Sequence, residues 1–178
     1  MGVEPANKDR IVLDPYDASY PIRFQAEEKR VRSLLGDTVV SFQHVGSTSI
    51  PGIRSKPLID MSLWVKPFPL SAVLLDSLRA DGYVLWELNS TDTHMFFYKG
   101  MPRTHHLHVC PESDDYLRAQ VLFRDYLIAH PEEARTYEAL KLGLADRFAD
   151  DRASYFKGKE DFVLEAVRKA RTEAAVKG

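Results

Sequence analysis

The chain has 178 residues, of which 44% are apolar and 28% charged, and its 24 basic and 26 acidic side chains give a formal net charge of −2. This composition is typical of a globular protein, and the near-neutral charge excludes a protein whose main partner is bulk nucleic acid, because such binding needs a strong basic excess. No stretch approaches the roughly 20 apolar residues of a membrane span, and residues 1–10 lack the apolar core of a signal peptide, so we expect a cytoplasmic protein without a membrane partner.

Residues 11–111 predict a sheet with helices. β-branched or alternating runs that end at glycine or proline indicate strands, and apolar residues three and four positions apart indicate helices. In chain order the predicted elements are an extended segment at 11–13, a helix at 20–36, strands at 38–45 and 58–65, a helix at 70–80, and strands at 83–88, 93–98 and 104–110. Prolines and a glycine between the first two strands predict a loop there.

Residues 112–172 have a different pattern, because strand signals stop and three amphipathic helical stripes follow. No flexible linker separates these helices from the sheet unit. We therefore expect a single domain over residues 1–178, in which 11–111 form the sheet unit and the helices of 112–172 pack on it. Cys110 is the only cysteine, which excludes an internal disulfide and a cysteine-based zinc site.

A Gly-Ser turn, Gly46-Ser47, follows the strand at 38–45, and Asp60 lies after twelve further residues inside the next strand. Glycine lets the backbone approach a phosphate closely, and a serine donates from its N–H and its hydroxyl, so Gly46, Ser47 and Thr48 are candidate phosphate-binding residues. Asp60 can hold the metal ion that neutralises such phosphates. The alternative is a tight turn beside a hydrogen-bonded carboxylate.

Histidines form the second candidate group. His106 and His108 lie two apart in the strand at 104–110 and share one face, where two imidazoles can bind one metal ion, or a phosphate when they are protonated. The alternative is that they occupy polar edge positions of an amphipathic strand. His44 shares a strand face with Gly46 and can reach the same site; the alternative is a structural histidine.

Basic side chains form the third group. Arg54 and Lys56 lie in the loop between Ser47 and Asp60, where they would meet the phosphates of a ligand. Arg124 and Lys141 lie among the apolar stripes of the later helices, which is unusual for solvated charges, and both are candidate phosphate-binding residues. The other basic side chains of this group are Arg103, Arg118 and Lys159. The alternative for each is a surface charge with a buried stem, and Arg124 with Asp125 is a candidate internal ion pair.

Several ordered motifs over about residues 11–170 resemble the GrpB family. They are His44-Val-Gly-Ser-Thr-Ser-Ile-Pro-Gly-Ile-Arg-Ser-Lys-Pro-Leu-Ile-Asp60, the His106-Leu-His108 strand, Phe123-Arg-Asp-Tyr-Leu127 with His130-Pro131, and the helix that carries Tyr137, Leu140, Lys141, Leu144 and Ala145. That family is similar to the nucleotidyltransferase superfamily of the DNA polymerase β type, in which a Gly-Ser turn and an Asp-x-Asp/Glu strand build a two-metal site. The resemblance implies an α+β fold, a mixed sheet of nucleotidyltransferase-like type with flanking helices and a C-terminal three-helix region, and Asp60 as a metal ligand.

The chain departs from that pattern at Ser62, which stands where the superfamily has its second strand carboxylate. Two outcomes follow. In the first, Asp60, His106 and His108 form an altered catalytic and metal site for Mg²⁺, Mn²⁺ or Zn²⁺, with nucleotidyl transfer to a small molecule. In the second, catalysis is lost and a binding or regulatory module keeps the pocket. In both, the predicted partner is a small-molecule nucleotide or another phosphate ligand.

Overall fold

The computed structural model describes residues 10–177. The expectation of a single domain over residues 1–178 includes residues 1–9, which lie outside the described part. Within this part of the chain, five strands and five α-helices follow one another in the order that the hydrophobic pattern predicts. The strands are β1 (Val39–Val45), β2 (Ile59–Val65), β3 (Tyr83–Leu85), β4 (Met95–Lys99) and β5 (His105–Pro111). The helices are α1 (Tyr20–Leu35), α2 (Ala72–Ala80), α3 (Asp115–Ala129), α4 (Pro131–Arg147) and α5 (Arg152–Lys177).

Local chemistry fixes the helix ends. Proline stands in the first turn of both α1 and α4, where its missing N–H has no intrahelical partner to lose. The side chain of Ser71 accepts a hydrogen bond from the Leu74 N–H at the start of α2, and that of Asp114 accepts one from the Leu117 N–H at the start of α3. α5 runs to Lys177, beyond the predicted end at residue 172.

The sheet has the strand order β1-β2-β5-β4-β3 and is mixed, because β2 pairs with β5 in parallel while the other neighbouring pairs are antiparallel. The parallel register sets Asp60 directly opposite His106 and Ser62 opposite His108. The predicted α+β fold with a mixed sheet and flanking helices is confirmed. The predicted strand at 83–88 is shorter, because a 3₁₀ turn at Glu87–Asn89 replaces its last residues.

The two faces of the sheet differ in character. Met61, Leu63, Leu107 and Val109 point to one face, where they are fully buried under α1 and α2, and we call this the closed face. The residues that lie between them in the strands point to the other face, which we call the open face. α3 covers one end of the open face, and a cavity borders its other end.

The closed face also holds a compensated ion cluster. Lys99 Nζ lies 2.7 Å from Glu27 Oε1 and 2.7 Å from Asp81 Oδ2, and Arg30 pairs with the same Asp81 carboxylate. The Tyr83 hydroxyl donates a hydrogen bond to Glu27 Oε1 over 2.7 Å. Each buried charge on this face therefore has an opposite charge beside it, as charges of low exposure require.

The C-terminal helices pack closely on each other. At Gly158 the α5 backbone approaches Leu144 of α4 so tightly that a side chain there would overlap Leu144, with Cδ1 only 3.0 Å from an added Cβ. Within residues 10–177, none of the helices combines the length and the apolar character that a membrane crossing requires.

Candidate functional site

A cavity of about 1070 Å³ lies between the open face of the sheet and the C-terminal helices. Its floor is formed by Asp60, His106 and His108 of the sheet, and one wall by the turn at Gly46 to Thr48. Residues of α3, α4 and α5 form most of the remaining wall, which is completed by the loop before β2 and by residues on both sides of β4. The topology thus brings the Gly-Ser turn, the strand carboxylate and the two histidines into one site.

Gly46 is required by the close approach of the turn to Asp60. Its φ is +70°, and a Cβ at this position would overlap Asp60 Oδ2 and lie 2.9 Å from Asp60 Cβ. A residue with a side chain would meet both the backbone strain of the left-handed region and this overlap. Glycine at position 46 is therefore what lets the turn lie directly beside the carboxylate.

Asp60 is engaged by a histidine and not by a second carboxylate. His106 Nδ1 lies 3.0 Å from Asp60 Oδ1, and the side chains are 12% and 28% exposed, so the carboxylate keeps some access to the cavity. Burial alone would raise the pKa of Asp60, but the hydrogen bond from His106 and the nearby positive charges outweigh it and hold that pKa below its usual value. His106 Nε2 is buried and has no hydrogen-bond partner among the described residues.

His108 is paired with His94, a residue just before β4. His94 Nε2 lies 3.0 Å from His108 Nδ1, and the two rings are nearly coplanar, 8° apart. Burial lowers the pKa of His108 to about 3 and also lowers the pKa of His94, so both imidazoles are neutral near pH 7. The Phe96 ring contacts His106 and His108 from the β4 side.

Ser62 is fully buried, and its hydroxyl donates a 2.5 Å hydrogen bond to Gln120 Oε1 of α3. The position of the superfamily's second carboxylate is thus occupied by a satisfied neutral contact between sheet and helix. Within the described part of the chain, no three histidine, cysteine, aspartate or glutamate side chains gather into a metal-holding group. The residues present do not fit the two-carboxylate clamp that the resemblance to the superfamily implies.

The cavity wall is strongly basic. Among residues 10–177, Asp60 is the single acidic side chain of the lining, whereas seven basic side chains line it: Lys56, Arg103, Lys141, Arg152, Lys159, Arg168 and Arg171. Arg168 pairs with Glu165, and Arg171 pairs with Asp115. Arg152 and Lys159 form no salt bridge with any described carboxylate, and instead lie against aromatic rings of α5.

Two of these lysines have lowered pKa values. Burial, strengthened by the charge of Lys159, lowers the pKa of Lys141 to about 7, and its Nζ donates a hydrogen bond to the Arg54 carbonyl. Burial also lowers the pKa of Lys159 to about 8, with Lys56 acting in the same direction and Asp60 against it. At the lysine end of the cavity, burial therefore disfavours the charged form of both lysines, and neighbouring lysines add to that effect.

The model of the GrpB protein family matches residues 10–169. The chain belongs to the GrpB family. Among its relatives are the UPF0157 protein PA4798 of Pseudomonas aeruginosa (40% identical over 93% of this chain and 69% of the relative) and the UPF0157 protein YqkA of Bacillus subtilis (33%, over 94% and 48%). The crystal structure of the conserved protein GrpB from Enterococcus faecalis matches with a TM-score of 0.85 and 25% identity over 92% of this chain and 99% of that one.

A more distant relative carries a functional name. The dephospho-CoA kinase of Mycolicibacterium paratuberculosis is 26% identical over 89% of this GrpB-family chain, and the match covers 45% of the kinase. The chain therefore spans less than half of that enzyme. It also lacks the Gly-rich sequence ending in Gly-Lys-Ser/Thr that marks a phosphate-binding P-loop.

The structure brings some of the predicted residues of this GrpB-family chain into the cavity. Gly46, Ser47, Lys56 and Lys141 line it as expected. Tyr137, whose pKa burial raises to about 12, is hydrogen-bonded to Ser47. The roles that we predict for these residues in phosphate binding stay predictions.

Other predicted residues have structural partners elsewhere. Thr48 borders the cavity, but its hydroxyl is 3.0 Å from the Leu58 carbonyl, to which it donates. Neither Arg54 nor Arg124 lines the cavity among the described residues. The Arg54 guanidinium donates a hydrogen bond to the Leu13 carbonyl. Arg124 pairs with Asp125 and donates a hydrogen bond to the His44 carbonyl.

His44 does not reach the cavity. Its ring stacks on Phe24 of α1 with 4.9 Å between centroids, and its Nε2 lies 3.0 Å from Thr48 Oγ1. Because the Thr48 hydroxyl proton is used by Leu58, His44 Nε2 is the donor in this contact. The expectation fails because His44 lies opposite Met61, on the closed face, while Gly46 has already left the strand.

Several cavity residues were missed at the level of sequence. Arg152, Arg168 and Arg171 have the spacing of ordinary solvated charges on α5, and only the fold turns them toward the cavity. His94 carried a usable signal, because it shares the alternation of Phe96 and so belongs to the same face of the sheet as His108.

Proposed function

We propose that the cavity binds a phosphorylated small molecule of the nucleotide class. The observation that carries this proposal is the charge of its wall, where the described residues place seven basic side chains against the one carboxylate of Asp60, in a chain whose formal net charge is −2. Burial and a neighbouring lysine disfavour the charged forms of Lys141 and Lys159, and a phosphate group placed beside them would stabilise those charges through charge-assisted hydrogen bonds. Lys159 and Arg152, which have no described carboxylate partner, are the cations most available for this role.

An unpartnered hydroxyl supports the same ligand class. Ser55 is 1% exposed, lines the cavity, and its Oγ has no hydrogen-bond partner among the described residues. A buried hydroxyl without a partner destabilises the protein unless a ligand or water satisfies it. A phosphate oxygen accepts hydrogen bonds, so it would satisfy Ser55 and the neighbouring lysines together.

The aromatic lining and the size of the cavity favour a nucleotide over free phosphate. Trp86, Phe96, Tyr116 and Phe156 line it, and stacking on such rings contributes about 1 to 3 kcal/mol per base. A volume of about 1070 Å³ leaves room for a nucleoside beside its phosphates. The kinase relative acts, by its name, on dephospho-CoA, which makes that molecule one of the probes to use.

The proposal is binding and not nucleotidyl transfer. Two-metal transfer needs carboxylates that hold both ions, and here Ser62 is buried against Gln120 where the second carboxylate would stand. The site as built fits a module that holds or senses a ligand.

Calorimetric titration of the protein with ATP, ADP, pyrophosphate and dephospho-CoA tests the proposal, with thermal unfolding as a second measurement. A probe at a hundred times its Kd should stabilise the protein by about 2.7 kcal/mol, a rise in Tm of roughly 5 to 10 °C. Lys159→Gln should lower affinity about tenfold or more, and Ser55→Ala by a smaller factor. Lys157→Gln, a matched change at an exposed position of the same helix, should leave affinity unchanged.

Two results would contradict the proposal. One is the absence of binding by any of the four probes at millimolar concentration. The other is an equal effect of Lys159→Gln and Lys157→Gln, which would mean that a general surface charge and not the cavity attracts the anion.

A further inference from the structure

The two cavity histidines of β5 share one arrangement, in which Nδ1 is engaged and Nε2 is not. His106 Nδ1 lies 3.0 Å from Asp60 Oδ1, and His108 Nδ1 lies 3.0 Å from His94 Nε2. Neither Nε2 atom has a hydrogen-bond partner within residues 10–177, and that of His106 is buried. A buried ring nitrogen without a partner calls for a ligand or an ion in its place.

The hydrogen bonds decide which ring nitrogens carry lone pairs. An ionised Asp60 carboxylate only accepts, so His106 Nδ1 donates, and the tautomer with this single N–H has its lone pair on Nε2. In the tautomer in which His108 Nδ1 donates to His94, His108 Nε2 carries a lone pair in the same way. Both histidines point to the open face two residues apart, so in these tautomers the chain presents two imidazole Nε2 lone pairs to one cavity.

We propose that His106 and His108 bind a transition metal ion of the zinc type through their Nε2 atoms, while Asp60 and His94 position the two rings. Metal-binding histidines commonly donate their other ring N–H to a carboxylate or a similar acceptor, which fixes the tautomer and the ring orientation. Asp60 has this role toward His106. It is then a positioning residue and not a ligand of the ion.

The donor set selects the kind of metal. Imidazole nitrogens suit Zn²⁺ and Co²⁺ and are poor ligands for Mg²⁺, which prefers oxygen. Two protein ligands leave coordination positions for water or for an oxygen of a bound ligand, as in sites that keep an open position. Phe96 contacts both rings and supplies an apolar wall beside the ion.

Cobalt titration without any nucleotide tests the site directly. Untagged protein treated with a chelator and then dialysed would be titrated with Co²⁺ while its visible absorption is recorded, and Zn²⁺ would then be added as a competitor. We expect saturable binding of one ion per chain, with d–d bands typical of nitrogen ligands that Zn²⁺ displaces.

Matched variants locate the ion. His106→Gln and His108→Gln should each lower Co²⁺ affinity at least tenfold. His105→Gln changes the neighbouring histidine, whose Nδ1 contacts Thr104 Oγ1 on the other side of the strand, and should leave affinity unchanged. Circular dichroism and thermal unfolding of each variant separate loss of the site from loss of the fold.

Asp60→Asn tests the positioning role. It should weaken Co²⁺ binding about tenfold or more, and ¹⁵N spectra of the imidazoles should show His106 leaving the Nδ1–H tautomer. An unchanged tautomer and an unchanged affinity would show that Asp60 does not position the ring.

The metal site would be overturned if no saturable Co²⁺ binding occurs, or if the loss in His105→Gln equals that in His106→Gln. The titration contains no phosphate ligand, so its failure leaves the proposed function standing. Conversely, a protein that binds Co²⁺ but none of the nucleotide probes would keep this site and refute the proposed function.

Discussion

The closed and open faces of the sheet are built from the same strands and treat charge in opposite ways. On the closed face, Glu27 and Asp81 share Lys99, so the buried charges are balanced. On the open face, seven basic side chains of the described chain line the cavity that holds Asp60, and Lys159 forms no described salt bridge. The first arrangement is balanced within the protein, whereas under the proposed function a ligand balances the second. The difference indicates which face stabilises the fold and which is available for function.

The largest expected effect is at the turn that supports the open face. Gly46→Ala should lower the free energy of unfolding by about 4 kcal/mol, because left-handed backbone strain adds to overlap with Asp60. Gly52→Ala provides the control, since Gly52 has a φ of +83° with nothing within 4 Å of an added Cβ, and should cost about 1 to 2 kcal/mol. Urea denaturation measures both, and equal losses would show that the approach to Asp60 is not tight.

The Gly46-Ser47 turn could be predicted from sequence. The residues that lie beside it in the folded chain could not, and the reason is physical. Glycine before a serine and the lone Asp60 in an apolar strand are local signals, and the alternation of His106 and His108 is local as well. The parallel pairing that sets Asp60 opposite His106 joins strands separated by over thirty residues of helix, hairpin and loop. No local pattern contains that register.

The same limit explains the errors in the candidate site. His44 obeys the strand alternation that predicts it, but the sequence does not say which face α1 covers, and its stacking on Phe24 decides that. In the sequence, Lys159 is one of many charges on a predicted helix. Only the packing of α5 in the structure shows that it lies near Asp60. The elements could be predicted from sequence, while the contacts between distant elements required the structure.

Lys99→Met tests the balance of the closed face. Removal of the shared cation leaves Glu27, 8% exposed, without its ion pair, and should lower the free energy of unfolding by about 3 kcal/mol. Lys29→Met, at an exposed position of α1, should have no measurable effect. Chemical denaturation measures the free energy of unfolding of both variants. If Lys99→Met lowers it as little as Lys29→Met does, the ion cluster does not stabilise the fold.

The open face should show its crowding in the pH dependence of stability. The folded pKa values of Lys141 and Lys159, about 7 and about 8, lie below the ordinary value of 10.5. Between pH 7 and 9 the unfolded chain therefore binds more protons than the native one, so the free energy of unfolding should rise with pH, by roughly 2 kcal/mol per pH unit. The slope should flatten in a Lys141→Met/Lys159→Met variant, and a flat wild-type profile would show that burial and neighbouring charge do not disfavour the charged lysines.

The smallest effect completes the comparison. Lys159→Met removes a crowded cation and should stabilise the ligand-free protein by about 1 kcal/mol at pH 7, the opposite sign to Lys99→Met. Thermal unfolding of the two variants side by side measures the difference. If both substitutions destabilise the protein, the expected difference in charge balance between the closed face and the open face is wrong.

α5 contacts α4 closely at Gly158 and Leu144, one residue before Lys159. A tilt of α5 about this contact would move its distant end more than Lys159. Arg171 lies thirteen residues beyond Gly158, so a tilt of about 5° at that contact would move it by roughly 2 Å, while Lys159 would hardly shift. Changes of side-chain size at positions 144 and 158 would thus widen or narrow the outer mouth while the lysine end keeps its shape. Under the proposed function, the side chains at these two positions would set the length of ligand that the outer mouth accepts.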